Sequence, residues 1–435
     1  MNYLESLEYL YNLGNEVTAM KLGLTSTEKI LAALGNPEKQ FLKIQVAGTN
    51  GKGSTCAFLD AICRSARVTT GLFTSPHLIS ITERIKIDGA EISEKDFARH
   101  ATRIRKISEE LVAEKELEAV PTFFEQMTAI GISAFAEAKI ELAILETGLG
   151  GRFDSVTAAR AEIIAITPID YDHQQILGNT LTEIASEKAA VIRADTRVIV
   201  APQRNEAKKV ITGKCREVGV EPVWATERIQ IKTQSAELGF PFLMGNFTTQ
   251  NANYPDVTLG LNGRHQFTNA SLAISVAETL CEKDFEISSD EIWIGLQNAE
   301  HKGRLEFYKN FLFDGAHNVG GAKALRDYLE EFIEQPVTII FGAMRDKDLP
   351  EIAETIFPKA ERLILTEPKN ERSAQTSELL KFVPDNFERK NVTLAPTVQE
   401  AIEAARKATG EGELILITGS LYLVGEAQEI LKNAF

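Results

Sequence analysis

The chain has 435 residues, of which 44% are hydrophobic and 25% are charged, and its formal net charge is −15. This length predicts two or three globular domains, and the acidic balance argues against general binding of nucleic acids or anionic membranes. There is no apolar run long enough for a membrane span and no signal-peptide pattern, and the four cysteines have no metal-binding spacing, so we expect free thiols and a cytoplasmic location.

The first α/β region is predicted to occupy residues 1–298. Its first 40 residues show leucines at helical spacing, and residues 41–202 alternate between buried-strand runs and helical stretches. This alternation predicts a mostly parallel sheet covered on both faces, with strands at 41–46, 69–73, 142–146, 163–167 and 198–201. Residues 203–260 are less regular and predict a satellite β subdomain, which is followed by a helix at about 269–282.

A second, smaller α/β region is predicted for residues 299–435. A polar segment at 297–303 is a candidate linker, after which strands are predicted at 311–314, 337–341, 362–366, 392–395 and 414–418. The sequence therefore predicts the α/β class. We expect a large P-loop-type domain with a mostly parallel sheet, then a smaller doubly wound domain, with the active site in the cleft between them.

A glycine-rich turn follows the first predicted strand and precedes a helix. Its glycines let backbone N–H groups approach phosphate oxygens, the helix N-terminus adds partial positive charge, and Lys52 neutralises the remaining negative charge. The spacing is looser than the strict P-loop pattern, because Gly53 separates Lys52 from Ser54, and a chance glycine cluster is the alternative. The context favours a site for a nucleoside triphosphate, built from Thr49, Asn50, Gly51, Lys52, Gly53 and Ser54.

Two further strands of the first region end in residues suited to bind metal. Glu146 closes the strand at 142–146, where a magnesium-binding carboxylate is needed beside a phosphate loop; a turn-capping acid is the alternative. His173 follows the next strand and could bind metal through a neutral ring nitrogen that is oriented by Asp172 or Asp170. Because His173 follows the strand that comes next in the chain after the one ending in Glu146, a metal-binding histidine is favoured over a structural one.

Lys188 and Ser75 are further candidates in the first region. Lys188 enters an apolar stretch of a predicted helix, and burial would leave its amine neutral and reactive toward carbon dioxide. The carbamate so formed would be an anion that can bind magnesium, whereas a solvated lysine is the simpler interpretation. Ser75 either offers a hydroxyl to magnesium or begins a turn before Pro76. In the second region, Asp314 ends a strand where an acid suits ribose hydroxyls.

Taken in order, these stretches resemble the folylpolyglutamate synthases and dihydrofolate synthases of the Mur ligase superfamily. Each motif alone is weak, whereas the ordered set is specific and covers essentially the whole chain. The matching stretches are 48–54, 75–78, 121–125, 146–152, 172–173, 187–189, 265–270, 303–304, 314–318, 341–343, 346–348 and 418–422.

The resemblance implies roles for individual residues. The turn from Thr49 to Ser54 would hold the ATP phosphates, and Lys52, His173 and Lys188 would be catalytic. Two Mg²⁺ ions are implied, one held by Ser75 and Glu146 and the other by Glu146, His173 and a carbamylated Lys188. Adenine, ribose and phosphate would contact Asn269, Arg304, Asp314 and His317. The pterin-bearing substrate would lie against Leu22, Gly23, Thr122, Phe123, Phe124, Glu125, Arg152, Phe153 and Asp154.

The family further implies the reaction. ATP would phosphorylate a folate or dihydropteroate carboxylate, and the amine of L-glutamate would attack the resulting acyl phosphate to form an amide. Many bacterial members perform both dihydrofolate and folylpolyglutamate synthesis, which favours a bifunctional enzyme over folylpolyglutamate synthesis alone. The resemblance also implies a monomer that is aided by a monovalent cation such as K⁺.

Two other classes of protein remain open from the sequence. A Mur-type cell-wall ligase would usually carry a nucleotide-sugar domain before the phosphate loop, and only 47 residues precede Gly48. A P-loop switch protein without ligase activity would show an Asn-Lys-x-Asp motif if it were specific for guanine, and the sequence has no such motif. Phosphate release that depends on ATP, glutamate and a folate together separates these classes.

Overall fold

The computed structural model describes residues 1–14, 23–226, 228–234 and 242–433. Within these ranges the chain forms a sheet of eight strands, an antiparallel sheet of three strands and a sheet of six strands. The predicted α/β class is therefore confirmed. Leu22, which we predicted to contact the substrate, lies outside the described residues.

The large sheet is built from eight strands, which are β1 (Leu42–Ala47), β2 (Thr70–Phe73), β3 (Ile85–Ile87), β4 (Ala90–Glu91), β5 (Leu142–Glu146), β6 (Ile163–Ile166), β7 (Arg197–Val200) and β8 (Pro222–Trp224). Their spatial order is β4-β3-β2-β5-β1-β6-β7-β8. Neighbouring strands are parallel, except that β3 is antiparallel to both β2 and β4. Five of these strands were predicted, each to within one residue of its observed ends.

Helices cover both faces of the large sheet, which is why its central strands carry continuous apolar runs. Ile44, Ile144 and Ile163 stand side by side on β1, β5 and β6 and are fully buried. The helices of this region are α1 (Tyr3–Tyr11), α2 (Thr25–Ala33), α3 (Lys52–Ser65), α4 (Glu94–Ala113), α5 (Phe123–Ala138), α6 (Gln174–Leu177), α7 (Leu181–Ala189), α8 (Asn205–Val218), α9 (His265–Cys281) and α10 (Ser289–Asn298).

A separate antiparallel sheet consists of β9 (Ile229–Gln234), β10 (Phe242–Thr248) and β11 (Asn253–Thr258). The predicted satellite range of 203–260 is wider than this sheet. It also contains α8, whose buried Ala207, Ile211 and Cys215 belong to the same core cluster as residues of β7, and β8, which pairs with β7 of the large sheet. The irregular sequence pattern therefore did not predict one amphipathic helix and one edge strand of the large sheet.

The smaller sheet has six strands, which are β12 (Glu306–Tyr308), β13 (Phe311–Asp314), β14 (Val337–Phe341), β15 (Arg362–Thr366), β16 (Val392–Ala395) and β17 (Leu414–Thr418). Their order is β12-β13-β17-β14-β15-β16, and only the pairing of β12 with β13 is antiparallel. The accompanying helices are α11 (Val319–Phe332), α12 (Leu349–Ile356), α13 (Thr376–Leu379), α14 (Val398–Ala408) and α15 (Leu421–Asn433). The chain passes from the large sheet to the smaller one between α10 and β12, and the domain boundary at 298/299 stays a prediction.

In each of the two α/β sheets, the candidate site residues lie at the edge where the parallel strands end. Glu146, the last residue of β5, stands in register with Val46 of β1, and the glycine-rich turn follows β1 directly. In the smaller sheet, Asp314 at the end of β13 stands in register with Thr418 at the end of β17. Because parallel strands end at the same edge, ligands of such sheets bind beyond these ends.

Two expectations from composition can be compared with the structure. Within the described ranges, no helix combines the length and the apolar character needed to cross a membrane. The four cysteines are all free thiols; three are buried and Cys281 is exposed.

Candidate active site

One cavity of about 630 Å³ lies between the carboxyl edges of the two α/β sheets. Its walls come from the loops after β1, β2, β5 and β6, the first turns of α5 and α9, the end of α7, and the loops after β13, β14, β15 and β17. The cavity therefore brings together groups from both domains. Its lining includes most of the predicted site residues: Thr49, Asn50, Gly51, Lys52, Gly53, Ser54, Ser75, Thr122, Phe124, Glu125, Glu146, Phe153, Asp154, His173, Lys188, Asn269, Arg304, Asp314 and His317.

The glycine-rich turn is held from two sides. The backbone N–H groups of Thr49 and Asn50 donate to the carbonyl oxygen of Pro168 at 3.1 and 3.3 Å, which ties the turn to the loop after β6. Gly51 has a φ of +87°, and a Cβ at this position would lie 2.1 Å from Oδ1 of Asn269. Only glycine therefore satisfies both the left-handed backbone and the close approach of α9.

Lys52 is the first residue of α3 and lines the cavity. Its Nζ donates to the carbonyl oxygens of Gly48 and Thr49 at 3.3 and 3.2 Å. Within the part of the chain that the structure describes, no carboxylate forms an ion pair with Lys52. An uncompensated lysine at the start of a helix after a glycine-rich turn is an arrangement that binds phosphate.

Glu146 is almost fully buried beside this turn. The backbone N–H of Ser75 donates to Oε2 of Glu146 at 3.1 Å, and Oε1 accepts no hydrogen bond from the described residues. Burial raises the pKa of Glu146, while the charge of Lys52 acts in the opposite direction. A buried carboxylate with one free oxygen is suited to receive a cation. The contact that Ser75 makes with it here uses the backbone, not the hydroxyl.

His173 follows β6 and adopts a left-handed backbone with a φ of +50°. Burial lowers its pKa to about 4, so the ring is neutral near pH 7 and its nitrogen can bind a metal. Of the two acids considered for orienting it, Asp172 is the neighbour, with Oδ1 3.7 Å from Nε2 of His173. Asp170 instead accepts the backbone N–H of Tyr171 at 3.0 Å.

Asp172 connects the two domains, a role that the sequence interpretation missed. Its Oδ1 accepts from Nζ of Lys347 at 2.7 Å, and both side chains are less than a tenth exposed. Its Oδ2 accepts from Nδ2 of Asn318 at 3.0 Å, and the same amide donates to Oδ1 of Asn50 in the glycine-rich turn at 2.9 Å. Burial acts to raise the pKa of Asp172, but nearby positive charge, that of Lys347 first, holds it well below its usual range. We call Asp172, Lys347, Asn318 and Asn50 the domain hub.

Lys188 lies on α7 and is buried, so the alternative of a solvated lysine does not hold. Its Nζ donates to the carbonyl oxygen of Gly48 at 2.7 Å. Burial, and then the charge of Lys52, lower the pKa of Lys188 to about 7. A substantial fraction of this amine is therefore neutral at physiological pH.

Asn269 lies next to the glycine-rich turn, and Arg304 lies near Gly315, which follows β13. Nδ2 of Asn269 donates to Oε1 of Gln266 at 2.8 Å, which fixes the amide that contacts Gly51. The guanidinium of Arg304 forms no hydrogen bond or ion pair with the described residues, although it lines the cavity. An uncommitted guanidinium at this position can bind an anionic ligand.

Asp314 and His317 come from the smaller sheet. Asp314 accepts the backbone N–H groups of Leu305 and Ala316 at 3.0 and 2.9 Å, and burial raises its pKa. Nδ1 of His317 lies 2.7 Å from the carbonyl oxygen of Gly315, and burial lowers the pKa of His317 to about 3. The ring is therefore neutral and donates from Nδ1, which leaves Nε2 as an acceptor.

A second wall of the cavity is aromatic and acidic. Phe124 and Phe153 line it together with Thr122, Glu125 and Asp154. The carboxylate of Glu125 accepts from the backbone N–H of Thr122 at 2.7 Å through Oε2, while its Oε1 is buried without a partner. Burial raises the pKa of Asp154 to about 6, against the hydrogen bonds that it accepts from backbone N–H groups.

Three of the predicted substrate contacts lie outside the cavity lining. Phe123 is buried on the other side of the first turn of α5, where it stacks on Tyr11 with ring centroids 5.9 Å apart. Arg152 pairs with Glu187 at 2.9 Å and is half exposed. Gly23 also does not reach the cavity. Phe123 and Arg152 each stand between two lining residues in the sequence, but adjacent positions on a helix or turn point in different directions.

The two domains have the architecture of the Mur ligases, a class of ligases. The Mur ligase middle domain model matches residues 46–277, and the model of the Mur ligase glutamate ligase domain matches residues 303–421. A dihydrofolate synthase/folylpolyglutamate synthase of Bacillus subtilis is 34% identical over 420 residues, which cover 95% of this chain and 96% of the relative. The chain therefore belongs to the folylpolyglutamate synthase/dihydrofolate synthase family of the Mur ligases.

Solved structures show the same fold. A Mycobacterium tuberculosis folylpolyglutamate synthase complexed with ADP and AMPPCP superposes with a TM-score of 0.88 at 27% identity, covering 99% of both chains. Escherichia coli FolC in complex with DHPP and ADP superposes with a TM-score of 0.86 at 25% identity, covering 100% of this chain and 98% of that chain. The predicted family and two-domain fold are confirmed.

Proposed function

We propose that this protein is an ATP-dependent amide ligase that adds L-glutamate to the carboxylate of a folate or a pteroate. The observation that carries the proposal is the shared cavity, in which Lys52 and Glu146 of the large domain meet Asp314 of the small domain. The same cavity has an aromatic wall at Phe124 and Phe153. It thus offers a phosphate-binding end and a surface on which a flat ring can stack.

The chemistry follows from the weakness of a carboxylate as an acyl donor. Direct attack by an amine would have to expel oxide, whereas an acyl phosphate has phosphate as its leaving group. Phosphorylation by ATP spreads negative charge over the transferred group, and Lys52 with the N-terminus of α3 lies where this charge can be stabilised. The amine of L-glutamate then attacks the acyl phosphate, which forms the amide and releases phosphate.

The residues around Glu146 fit Mg²⁺ that binds together with ATP. Among the residues that the structure describes, no group of three or more His, Cys, Asp or Glu side chains is arranged to hold a metal. Mg²⁺ usually takes one or two carboxylates and completes its shell with water and phosphate oxygens, and Glu146 has a free oxygen. Ser75 and Glu146 would hold one ion, which when bound neutralises charge on the phosphoryl oxygens.

Replacing Glu146 with glutamine tests this metal site. The variant keeps the shape of the side chain but loses its charge, so we expect the Mg²⁺ concentration for half-maximal ligation to rise at least about tenfold. The measurement is phosphate release titrated with Mg²⁺ at saturating ATP. Glu109→Gln on α4, whose side chain is 52% exposed, is the matched control. An unchanged Mg²⁺ dependence in Glu146→Gln would remove this residue from the metal site.

A second Mg²⁺ would use Glu146, His173 and a carbamylated Lys188. The amine of Lys188 donates to a carbonyl oxygen in the structure and cannot bind a cation in that form. Its pKa of about 7 makes reaction with carbon dioxide feasible, because carbamate forms from the neutral amine. Carbamylation would give this buried side chain a negative charge close enough to act on His173.

Carbamylation of Lys188 has a direct spectroscopic test. With ¹³C-bicarbonate, we expect a protein-bound carbamate signal that grows from about pH 6 to about pH 8, because the neutral fraction of the amine rises through its pKa of about 7. Lys188→Arg keeps the length and charge but cannot form the carbamate, so its spectrum should lack the signal. If wild type and variant give the same spectrum, the second metal site loses its anionic ligand.

The aromatic wall is the proposed surface for the pterin-bearing substrate. It consists of Thr122, Phe124, Glu125, Phe153 and Asp154; Phe123, Arg152 and Gly23 are left out because they do not reach the cavity. The unpartnered Oε1 of Glu125 is a buried acceptor, which favours a ligand that presents an N–H group. FolC of Escherichia coli, which superposes on this chain, was solved with DHPP and ADP.

The proposal is tested by measuring phosphate release with every component omitted in turn. We expect release that requires ATP, L-glutamate and a folate or pteroate together. Comparing dihydropteroate with a reduced folate as the acceptor distinguishes a bifunctional enzyme, which we propose, from a folylpolyglutamate synthase alone. Phosphate release that is indifferent to glutamate would contradict the ligase function. The monomeric state, the cytoplasmic location and the use of K⁺ stay predictions.

A further inference from the structure

The loop between β2 and β3, residues 74–84, joins the candidate metal site of the large domain to a helix of the small domain. Near its start, the backbone N–H of Ser75 donates to Oε2 of Glu146 at 3.1 Å. Further along, Leu78 packs against the small-domain core cluster that contains Leu423 and Val424 of α15. No step of the proposed reaction uses this second contact.

The β2–β3 loop is held together by its own hydrogen bonds. The carboxylate of Glu83 accepts three backbone N–H groups at 2.8, 3.0 and 2.8 Å, those of Leu78, Ile79 and Ser80. The backbone N–H of Thr74 donates to the carbonyl oxygen of Arg84 at 3.0 Å, which closes the base of the loop. Because base and tip are both tied, a displacement at Leu78 is transmitted to Ser75.

Gly425 of α15 allows the helix to approach this loop closely. A Cβ at Gly425 would lie 2.0 Å from the carbonyl oxygen of Leu78 and 2.7 Å from its carbonyl carbon. Both are backbone atoms, so no side-chain rotation can relieve the overlap. A carbon and a carbonyl oxygen in contact are ordinarily about 3.3 Å or more apart, so a side chain here would separate helix and loop by about 1 Å.

The tip of the loop also contacts the connection between the domains. Gly303 has a φ of +70°, and a Cβ there would lie 3.2 Å from Cδ1 of Leu78. The N–H of Gly303 donates to Oε2 of Glu306 at 2.6 Å, and Nε2 of Gln428 on α15 donates to the same oxygen at 2.8 Å. Leu78 therefore lies where the connecting segment and α15 are joined.

We propose that Gly425 is a positioning residue, which holds the β2–β3 loop against α15 and so couples the docked small domain to Ser75 and Glu146. This inference rests on the proposed ligase function. While the small domain is docked, α15 supports Leu78, and the tied loop keeps the N–H of Ser75 on the carboxylate of Glu146. Phosphoryl transfer thereby depends on a docked small domain.

Gly425→Ala tests the proposal because two effects of the substitution have opposite signs. Alanine is favoured over glycine within a helix, so without the loop contact the variant would be more stable and equally active. We expect instead that kcat for ligation falls by about tenfold or more, because the loop is displaced from Glu146. Gly213→Ala on α8 is the matched control, since Gly213 is exposed and no described atom lies within 4 Å of its added Cβ.

Hydrogen exchange of the ligand-free protein provides a measurement that does not depend on activity. The amide protons of Ser75, Leu78, Ile79 and Ser80 should exchange at least about fivefold faster in Gly425→Ala than in wild type. The amides of β1 should keep their wild-type rates, which separates loop displacement from general destabilisation. In Gly213→Ala, exchange and kcat should both match wild type.

A wild-type kcat in Gly425→Ala overturns the proposal, and so do wild-type exchange rates in the β2–β3 loop. If Gly425→Ala does not fold, Leu78→Ala removes the contact from the loop side and should show the same faster exchange and lower kcat. A wild-type enzyme without glutamate-dependent phosphate release would instead contradict the proposed function itself, so the two failures are distinguishable.

Discussion

Replacing Lys52 with alanine is expected to abolish ATP-dependent ligation without unfolding the chain. The amine of Lys52 contacts only the carbonyl oxygens of Gly48 and Thr49, at 3.3 and 3.2 Å, and its loss breaks no ion pair within the described residues. We therefore expect the free energy of unfolding to change little. The transition state for phosphoryl transfer loses a positive charge at the position where negative charge develops, and we expect kcat to fall by about 10³-fold or more.

The measurement is phosphate release at saturating ATP, glutamate and acceptor, together with a thermal unfolding curve of each protein. Lys106→Ala on α4 is the control, because the side chain of Lys106 is 77% exposed and only weakly paired with Glu110. We expect this control to match wild type in both measurements. Near-normal ligation by Lys52→Ala would contradict the proposed phosphate site, and a large fall in its unfolding temperature would show that Lys52 is structural.

Replacing Asp172 with asparagine is expected to weaken both the fold and the activity, because it breaks the domain hub. The side chain of Lys347 is 8% exposed and would keep its charge in the variant. It would lose the carboxylate that lies 2.7 Å from its amine. Breaking a buried pair from one side leaves an uncompensated charge, which lowers the free energy of unfolding by about 3 kcal/mol. Activity should fall as well, since Asn318 uses the same carboxylate to dock the small domain against the glycine-rich turn.

Chemical denaturation and phosphate release measure the two effects of Asp172→Asn. Asp195→Asn, at a side chain that is 65% exposed, is the control and should change neither. The double variant Asp172→Asn with Lys347→Met should recover much of the stability, because the unpaired buried charge is gone, but not the activity. If Asp172→Asn unfolds at the same denaturant concentration as wild type, the pair does not stabilise the docked domains.

Ten strands, five in each α/β sheet, could be predicted from the sequence because each is a short apolar run that ends in turn residues. All five predicted strands of the small domain have the observed ends, from β13 to β17. The predicted helix starts were less accurate where no capping residue marks the start of the helix in the sequence. The helix predicted at 269–282 begins at His265, and its N-cap Arg264 makes no side-chain cap, so no capping motif marks that start.

Sequence patterns also predicted the separate parts of the site. The glycine-rich turn, the strand-end Glu146 and the buried Lys188 each have a local signature: glycine spacing, an acid after an apolar strand, and a lysine among apolar residues. Local patterns could not separate Phe124, which lines the cavity, from its neighbour Phe123, which packs against Tyr11. The direction of a side chain depends on what the helix packs against.

The sequence by itself determined the family, five strands in each of the two α/β sheets and the position of the glycine-rich turn, because these depend on local spacing and on motifs in order. Only the tertiary structure decided which distant groups meet. Asp172 and Lys347 are separated by 175 positions, and Leu78 of the large domain meets Gly425 of the small domain. A buried ion pair depends on the packing of two domains, and no pattern within a short stretch of sequence encodes that geometry.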